Sequence, residues 1–307
     1  MRGLATLLVV LVAAVAPSRA RADAPKLAGL APALAGDARK AIAVGPEGQV
    51  YQPDGNGTWV RTQAGGVADE LVAVTSANGS VIADGKGTAL FKLNGNAWTS
   101  VHLALKAKAI LGAGSRALAA VGKSIYALDK GRPAKLADAP GPVLALAGGP
   151  GGVIVSTPKG LLVLQGTTFK PIKNAPRSAG TLVSDRWMLV DRGVVDLKTL
   201  KTTAWPAGVR VTDATTLGGD VLLAIGVKGK AVELLTVKGT KIDREAIPLP
   251  EASPVIGLVG DKAGRVVVAT RDGHLAVRDK TGGTWTVSEV REELPAAKPG
   301  PAPAASP

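Results

Sequence analysis

The stretch from Ala41 to Gln63, AIAVGPEGQVYQPDGNGTWVRTQ, limits the possible folds more than any other, because recognisable versions of it return until the C-terminal end of the chain. The spacing is about 36 residues, a period that marks repeat architectures in which each unit covers the apolar face of the next. Within the stretch, Ala41 to Gly45 reads as a short apolar strand, Pro46-Glu47-Gly48 as a turn and Gln49 to Asp54 as a second strand. Asp54-Gly55-Asn56-Gly57 then turns the chain into a third strand that opens on Trp59. In the next copy SVIADG, GKG, TALFKLN, NGN and AWTSVH follow in the same order, with Ile82 over Ile42 and Trp98 over Trp59.

Read to the end, the repeats make seven units of four short antiparallel strands, joined by Gly- and Asn-rich hairpin turns and without helical periodicity between them. The expected fold class is therefore all-β, a seven-bladed β-propeller of four-stranded blades over residues 38–293, with six or eight blades as alternatives. The strand placed innermost is crowded with small residues, as at Thr75-Ser76-Ala77, Gly112-Ala113-Gly114, Ala147-Gly148-Gly149 and Thr215-Thr216, which suits strands converging on an axis. Large rings recur on the outer strands at Trp59, Trp98, Phe169, Trp205 and Trp285. Each ring packed between neighbouring sheets would bury about 150–250 Å². Lys135 and Asp243 stand near the ring position in the third and sixth units, which are expected to be less tightly locked.

Residues 1–22 read as a secretory signal peptide. They have a positive start at Met1-Arg2, an apolar run from Leu4 to Ala16 too short to span a bilayer, and small residues in Ala20-Arg21-Ala22. A periplasmic or extracellular protein, cleaved near Ala22, is the expectation. Residues 23–37 are an N-terminal segment or the inner strand of the first unit, and residues 294–307 are a Pro/Ala-rich tail without a core-forming pattern. Cysteine is absent, which excludes disulfides, thiol catalysis, thiolate metal sites and a lipid-modified cysteine anchor. Stability has to come from an apolar core.

AVGPEGQVYQPDGNGTW resembles the repeat of secreted bacterial propellers of the Ycf48-like and BNR (Asp-box) superfamily, and with it the WD40/YVTN-like repeats. Units of that family typically end in Asp-Gly-Gly-x-Thr-Trp; Asp54, Gly55, Thr58 and Trp59 match, and Asn56 replaces a glycine. Later copies, NGNAW ending at Trp98 and DKTGGTW ending at Trp285, are looser. The resemblance implies a propeller and a repertoire of assembly or binding roles, without fixing a chemistry. It also implies comparison with sialidases, which need an arginine triad, a tyrosine nucleophile and acidic partners. Here the only tyrosines, Tyr51 and Tyr126, lie in hydrophobic strand patterns.

His102 and His274, the only histidines, fall at different strand positions and should not converge on a metal. GGPGG at Gly148 to Gly152 lacks the helix and the lysine of a phosphate loop, and the turn at Asp54 offers a single carboxylate, too few for calcium. No catalytic residue, cofactor or metal is expected. The enzyme alternative, a carbohydrate hydrolase or lyase, requires carboxylates gathered in the axial channel, for which Asp185, Asp213 and Asp261 are the candidates.

Charge points outward instead. The formal net charge of +13 falls to about +10 once Arg2, Arg19 and Arg21 leave with the signal peptide. The turns joining second and third strands carry Lys86, Lys123, Lys159, Arg192, Lys228 with Lys230, and Arg271, and only the first unit has Glu47 there. A propeller would set all of these turns on one face as a basic rim. The expected function is a non-enzymatic binding or scaffold protein of the cell envelope, docking an acidic envelope protein or an anionic glycan on that rim. A sensory or structural ectodomain partner is the other non-catalytic reading. Nucleic acid is a poorer partner, since aromatics interleaved with basic residues are scarce. No transmembrane span is expected in the mature chain, and a monomer is expected.

Overall fold

The computed structural model describes residues 25–292 apart from 33–37, 55–57, 65–66, 68, 78–79, 88, 95–96, 102–109, 115–116, 129–131, 150–151, 176–179, 218 and 251–253. The expected signal peptide, the Pro/Ala-rich tail and His102 lie outside the described residues. Among the described residues no helix is long and apolar enough to cross a membrane.

The chain is all-β. A first antiparallel meander holds β1 (Gly29–Pro32), β2 (Ala41–Val44), β3 (Gln49–Pro53) and β4 (Trp59–Ala64), with a short 3-10 helix at Ala38–Lys40. The next strands are β5 (Leu71–Ala77), β6 (Ser80–Gly85), β7 (Leu90–Asn94) and β8 (Ala97–Val101), then β9 (Ile110–Gly114), β10 (Leu118–Val121), β11 (Ser124–Ala127) and β12 (Ala134–Asp138). They lead into β13 (Ala145–Gly149), β14 (Gly152–Thr157), β15 (Gly160–Gln165) and β16 (Thr168–Pro171). Beyond these come β17 (Thr181–Leu182), β18 (Trp187–Val190), β19 (Gly193–Asp196) and β20 (Lys201–Ala204). The longest strands follow, β21 (Arg210–Leu217), β22 (Val221–Lys228), β23 (Ala231–Lys238) and β24 (Lys241–Ile247). The last meander is β25 (Val255–Gly260), β26 (Val266–Thr270), β27 (His274–Arg278) and β28 (Trp285–Arg291).

The expectation of seven blades, with six or eight as alternatives, is corrected: the propeller is five-bladed, with four-stranded blades. Sequence units and blades are different counts here. Between Leu71 and Pro171 the inner strands β5, β9 and β13 hydrogen-bond to one another in parallel, at Ala77 with Gly114 and at Ala147 and Gly148 with Ala113 and Gly114. Strands β5 to β16 therefore share one twelve-stranded sheet instead of standing apart. Small residues are the physical reason. Gly112 packs directly under the Leu146 carbonyl, where an added Cβ would lie 2.9 Å from the oxygen, so only glycine lets the two backbones come this close.

Apolar clusters lie between successive meanders, which is how stacked sheets bury their faces. Trp59 and Tyr51 pack with Val267, Leu275 and Val290, joining the first meander to the last. Trp187 and Trp205 pack with Leu222 and Leu235, and Leu223 and Leu234 with Val268 and Ala276. The circle is also closed by hydrogen bonds. Strand β28 pairs in parallel with β4, and Glu292 accepts from the Tyr51 hydroxyl at 2.7 Å and from Arg61 at 2.6 Å.

Trp59, Trp98, Phe169 and Trp285 stand on β4, β8, β16 and β28, and Trp205 directly after β20. Trp98 reaches back to the preceding meander, donating from Nε1 to the Gly48 carbonyl at 2.7 Å. The meander β21–β24, expected to be loosely locked, has strands of seven and eight residues whose Leu222, Leu235 and Val237 are fully buried against Trp187. Asp243 pairs there with Lys241 at 2.8 Å, and Lys135 on β12 pairs with Asp138 at 2.9 Å. Aliphatic packing does the work of the missing ring.

Candidate binding face

In a four-stranded antiparallel meander the turn between second and third strands leaves at one edge, together with the connection to the next meander. The backbone ties these turns to those connections. Lys86 donates its amide to the Glu70 carbonyl at 2.6 Å and Arg271 to the Pro254 carbonyl at 2.9 Å. Val143 donates to Gly122 at 2.9 Å, and Trp205 to Arg192 at 3.0 Å. Several of the turns carry a glycine with positive φ, among them Gly122 and Gly229 at 59° and 61°, the left-handed region that tight hairpins require. Lys123 and Lys230 directly follow them, held out from the sheet edge.

Lys86, Lys123, Lys159, Arg192, Lys228, Lys230 and Arg271 are all exposed in these turns. They do not all have the same freedom. Lys86 pairs with Glu70 at 2.9 Å, a hydrogen bond that raises its pKa, and Lys230 also has a partner. Lys123, Lys159, Arg192, Lys228 and Arg271 form no ion pair among the described residues. Acids share the face, but some are engaged. Asp272 accepts from Thr270 Oγ1 at 2.5 Å and lies 3.1 Å from His274 Nδ1, whose Nε2 is 3.3 Å from Glu289. Among the described residues no group of histidine and carboxylate side chains could hold a metal ion.

A cleft of about 750 Å³ opens between β17 and β21 and reaches this face at Asp191, next to Arg192. Exposed Leu144 and buried Trp205 give it apolar walls, and Arg210, Thr212 and Asp213 give it polar ones. Beside it lies the shortest described strand, β17. GTLVSD reads as a full inner strand, yet only Thr181 and Leu182 pair with β18, opposite the eight-residue β21.

Asp213 is the most perturbed acid. It follows a bulge in β21, accepts the Ala214 amide at 2.8 Å and the Leu258 amide of β25, and so links two inner strands. Burial pushes its pKa up to about 6. Asp261 accepts the Ala263 and Arg265 amides at 2.9 and 3.0 Å in the turn between β25 and β26, and Asp185 lies in the turn between β17 and β18. Those two turns leave at the edge opposite the connector face. The three candidate carboxylates are thus set apart, and two of them cap backbone amides.

Sequence reasoning missed Trp187, which is fully buried on β18 with the Arg186 guanidinium 5.0 Å over its ring and its Nε1 donating to Gly219 at 3.1 Å. Arg186 is held in turn by Asp196 at 3.0 Å and by Asp220. The same combination recurs as Arg278, stacked 5.3 Å over Trp285 and paired with Glu245, which accepts the Trp285 indole at 2.6 Å. The dipeptide Arg186-Trp187 was the one available signal.

No protein-family model matches the chain, and no curated protein matches it by sequence. Solved structures do match in shape. YCF48 from Cyanidioschyzon merolae superposes with a TM-score of 0.59 at 15% identity, covering 86% of this chain and 98% of that one. A structure of YCF48 bound to D1 peptide gives 0.57 at 14%, covering 84% and 94%. The WD40 β-propeller domain of Doa1 gives 0.57 at 14%, covering 81% and 91%. At such identities the likeness is one of fold: this chain is a β-propeller similar in shape to the Ycf48 and WD40 propellers.

Proposed function

We propose that the protein is a non-enzymatic scaffold of the cell envelope, exported by its N-terminal segment, that docks an acidic protein segment on the connector face. The observation that carries this is the set of five exposed cations, Lys123, Lys159, Arg192, Lys228 and Arg271, that lack ion-pair partners among the described residues. Exposed charges of one sign on one face raise the local concentration of an oppositely charged partner and speed its encounter. The cleft beside Arg192 supplies what charge alone does not: apolar walls at Leu144 and Trp205 for a side chain of the docked segment. That a propeller of similar fold is described bound to D1 peptide supports a peptide as the occupant.

The test is fluorescence anisotropy of a labelled poly-glutamate peptide, at about 50 mM and about 300 mM salt, where screening lengths differ about 2.5-fold. The wild-type chain should bind at low salt and weaken at high salt. The variant Lys123→Glu/Lys159→Glu/Arg192→Glu/Arg271→Glu should lose binding by about a hundredfold, roughly 0.7 kcal/mol for each reversed charge. Unchanged binding by that variant overturns the proposal. Tighter binding of a heparin competitor than of the peptide assigns the face to anionic glycans instead.

A further inference from the structure

On the opposite face a cleft of about 630 Å³ opens between the meander β21–β24 and the meander β25–β28. Its walls come from β21–β24, with Asp220 before β22, and from Lys262 and Gly264 between β25 and β26 and Thr281 and Gly282 between β27 and β28. Leu217, Val221 and Leu223 give it an apolar side, with Leu217 and Leu223 closing directly onto Gly260, where a Cβ would lie 2.7 and 2.8 Å from them.

Three carboxylates line the cleft, and each is engaged. Asp220 pairs with Arg186, Asp243 with Lys241 at 2.8 Å, and Glu245 with Arg278 and the Trp285 indole. Arg244 is likewise held by Glu233 at 2.6 Å. Lys238 and Lys262 remain; both are exposed and form no ion pair among the described residues. Two uncommitted ammonium groups beside an apolar wall match one ligand chemistry, a carboxylate carried on an apolar body. A neutral apolar ligand would leave the lysines unused, and inorganic phosphate would leave the apolar wall wet. The volume lies within the range of about 300–1,000 Å³ typical of small-molecule sites.

We infer that this cleft binds a small amphiphilic carboxylate, its head at Lys238 and Lys262 and its body against Leu217 and Val221. The site is separate from the docking face, and neither stands or falls with the other.

Octanoate titrated into the full chain, followed by amide chemical shifts, tests the assignment. Saturable shifts at Thr236, Gly264 and Gly282 are expected, with octan-1-ol and inorganic phosphate each binding about tenfold or more weakly. Lys238→Glu/Lys262→Glu should weaken octanoate by about tenfold or more, and the milder Lys238→Gln/Lys262→Gln should weaken it severalfold, with urea midpoints retained in both. Shifts confined to other surfaces, equal binding of octan-1-ol, or unchanged octanoate affinity in a folded double variant would each overturn it.

Discussion

The two faces of the propeller use their arginines in opposite ways. On the face of the β17–β18 and β27–β28 turns, two arginines are locked between neighbouring units: Arg186 over Trp187 with Asp196 and Asp220, and Arg278 over Trp285 with Glu245. On the connector face Lys123, Lys159, Arg192, Lys228 and Arg271 stand exposed in hairpin turns and form no ion pair among the described residues. A guanidinium stacked on an indole and hydrogen-bonded to a carboxylate is an architectural part, because removing it strands a desolvated partner. An exposed ammonium contributes little to stability, so selection is free to place it for recognition. Position in the meander separates the arginines: Arg186 and Arg278 are stacked on indoles, whereas Arg192 and Arg271 stand exposed in connector-face turns.

The comparison breaks most visibly where an architectural arginine loses its platform. Trp187→Ala removes a fully buried ring between two meanders, and a loss of about 4 kcal/mol in urea unfolding is expected. A loss below about 1 kcal/mol would mean the interface repacks and Arg186 does not depend on it. Arg278→Ala comes next. Its side chain is only 4% exposed, and Glu245 would keep only the indole as partner, so about 3 kcal/mol is expected from the same measurement. A near-neutral outcome would place Arg278 with the exposed cations.

Asp213 sharpens the comparison through pH. Burial holds its folded-state pKa near 6 against an ordinary 3.8, so the folded protein keeps this proton more tightly than the unfolded chain does. Its stabilising contribution is complete below about pH 4 and is lost as pH rises through about 6. Wild-type unfolding midpoints should therefore fall between about pH 4 and 7 relative to those of Asp213→Asn. Parallel pH profiles would show that Asp213 titrates as a surface acid.

Much of the fold was legible because a repeated unit repeats its signals. The Gly- and Asn-rich turns, the small residues of the inner strands and the rings at Trp59, Trp98, Phe169, Trp205 and Trp285 each recur in register. The blade count was not legible, since nothing in Gly112-Ala113-Gly114 says whether small inner strands merely approach or hydrogen-bond to their neighbours. The cleft at β17 was hidden for a related reason: GTLVSD has strand composition along its whole length, yet only Thr181 and Leu182 form ladder pairs with β18. Turn position could show that Lys86 and Lys123 share a structural place. Only the fold shows that Glu70 neutralises the first, whereas the second forms no ion pair among the described residues. The Arg278–Glu245 pair joins residues on different meanders and leaves no local trace in the sequence.

The smallest expected effect on stability accompanies the largest on binding. Two quadruple variants with the same change in net charge isolate the claim: Lys123→Glu/Lys159→Glu/Arg192→Glu/Arg271→Glu on the connector face, and Lys170→Glu/Lys198→Glu/Lys201→Glu/Lys280→Glu away from it. Both should keep unfolding free energies in urea within about 1 kcal/mol of wild type, because exposed charges add little. The direct measurement is the salt concentration at which each protein elutes from an immobilised poly-glutamate column. The account predicts that only the connector-face variant elutes at the low salt of an unbound protein; equal loss of retention in both would show that net charge, and not the face, holds the partner.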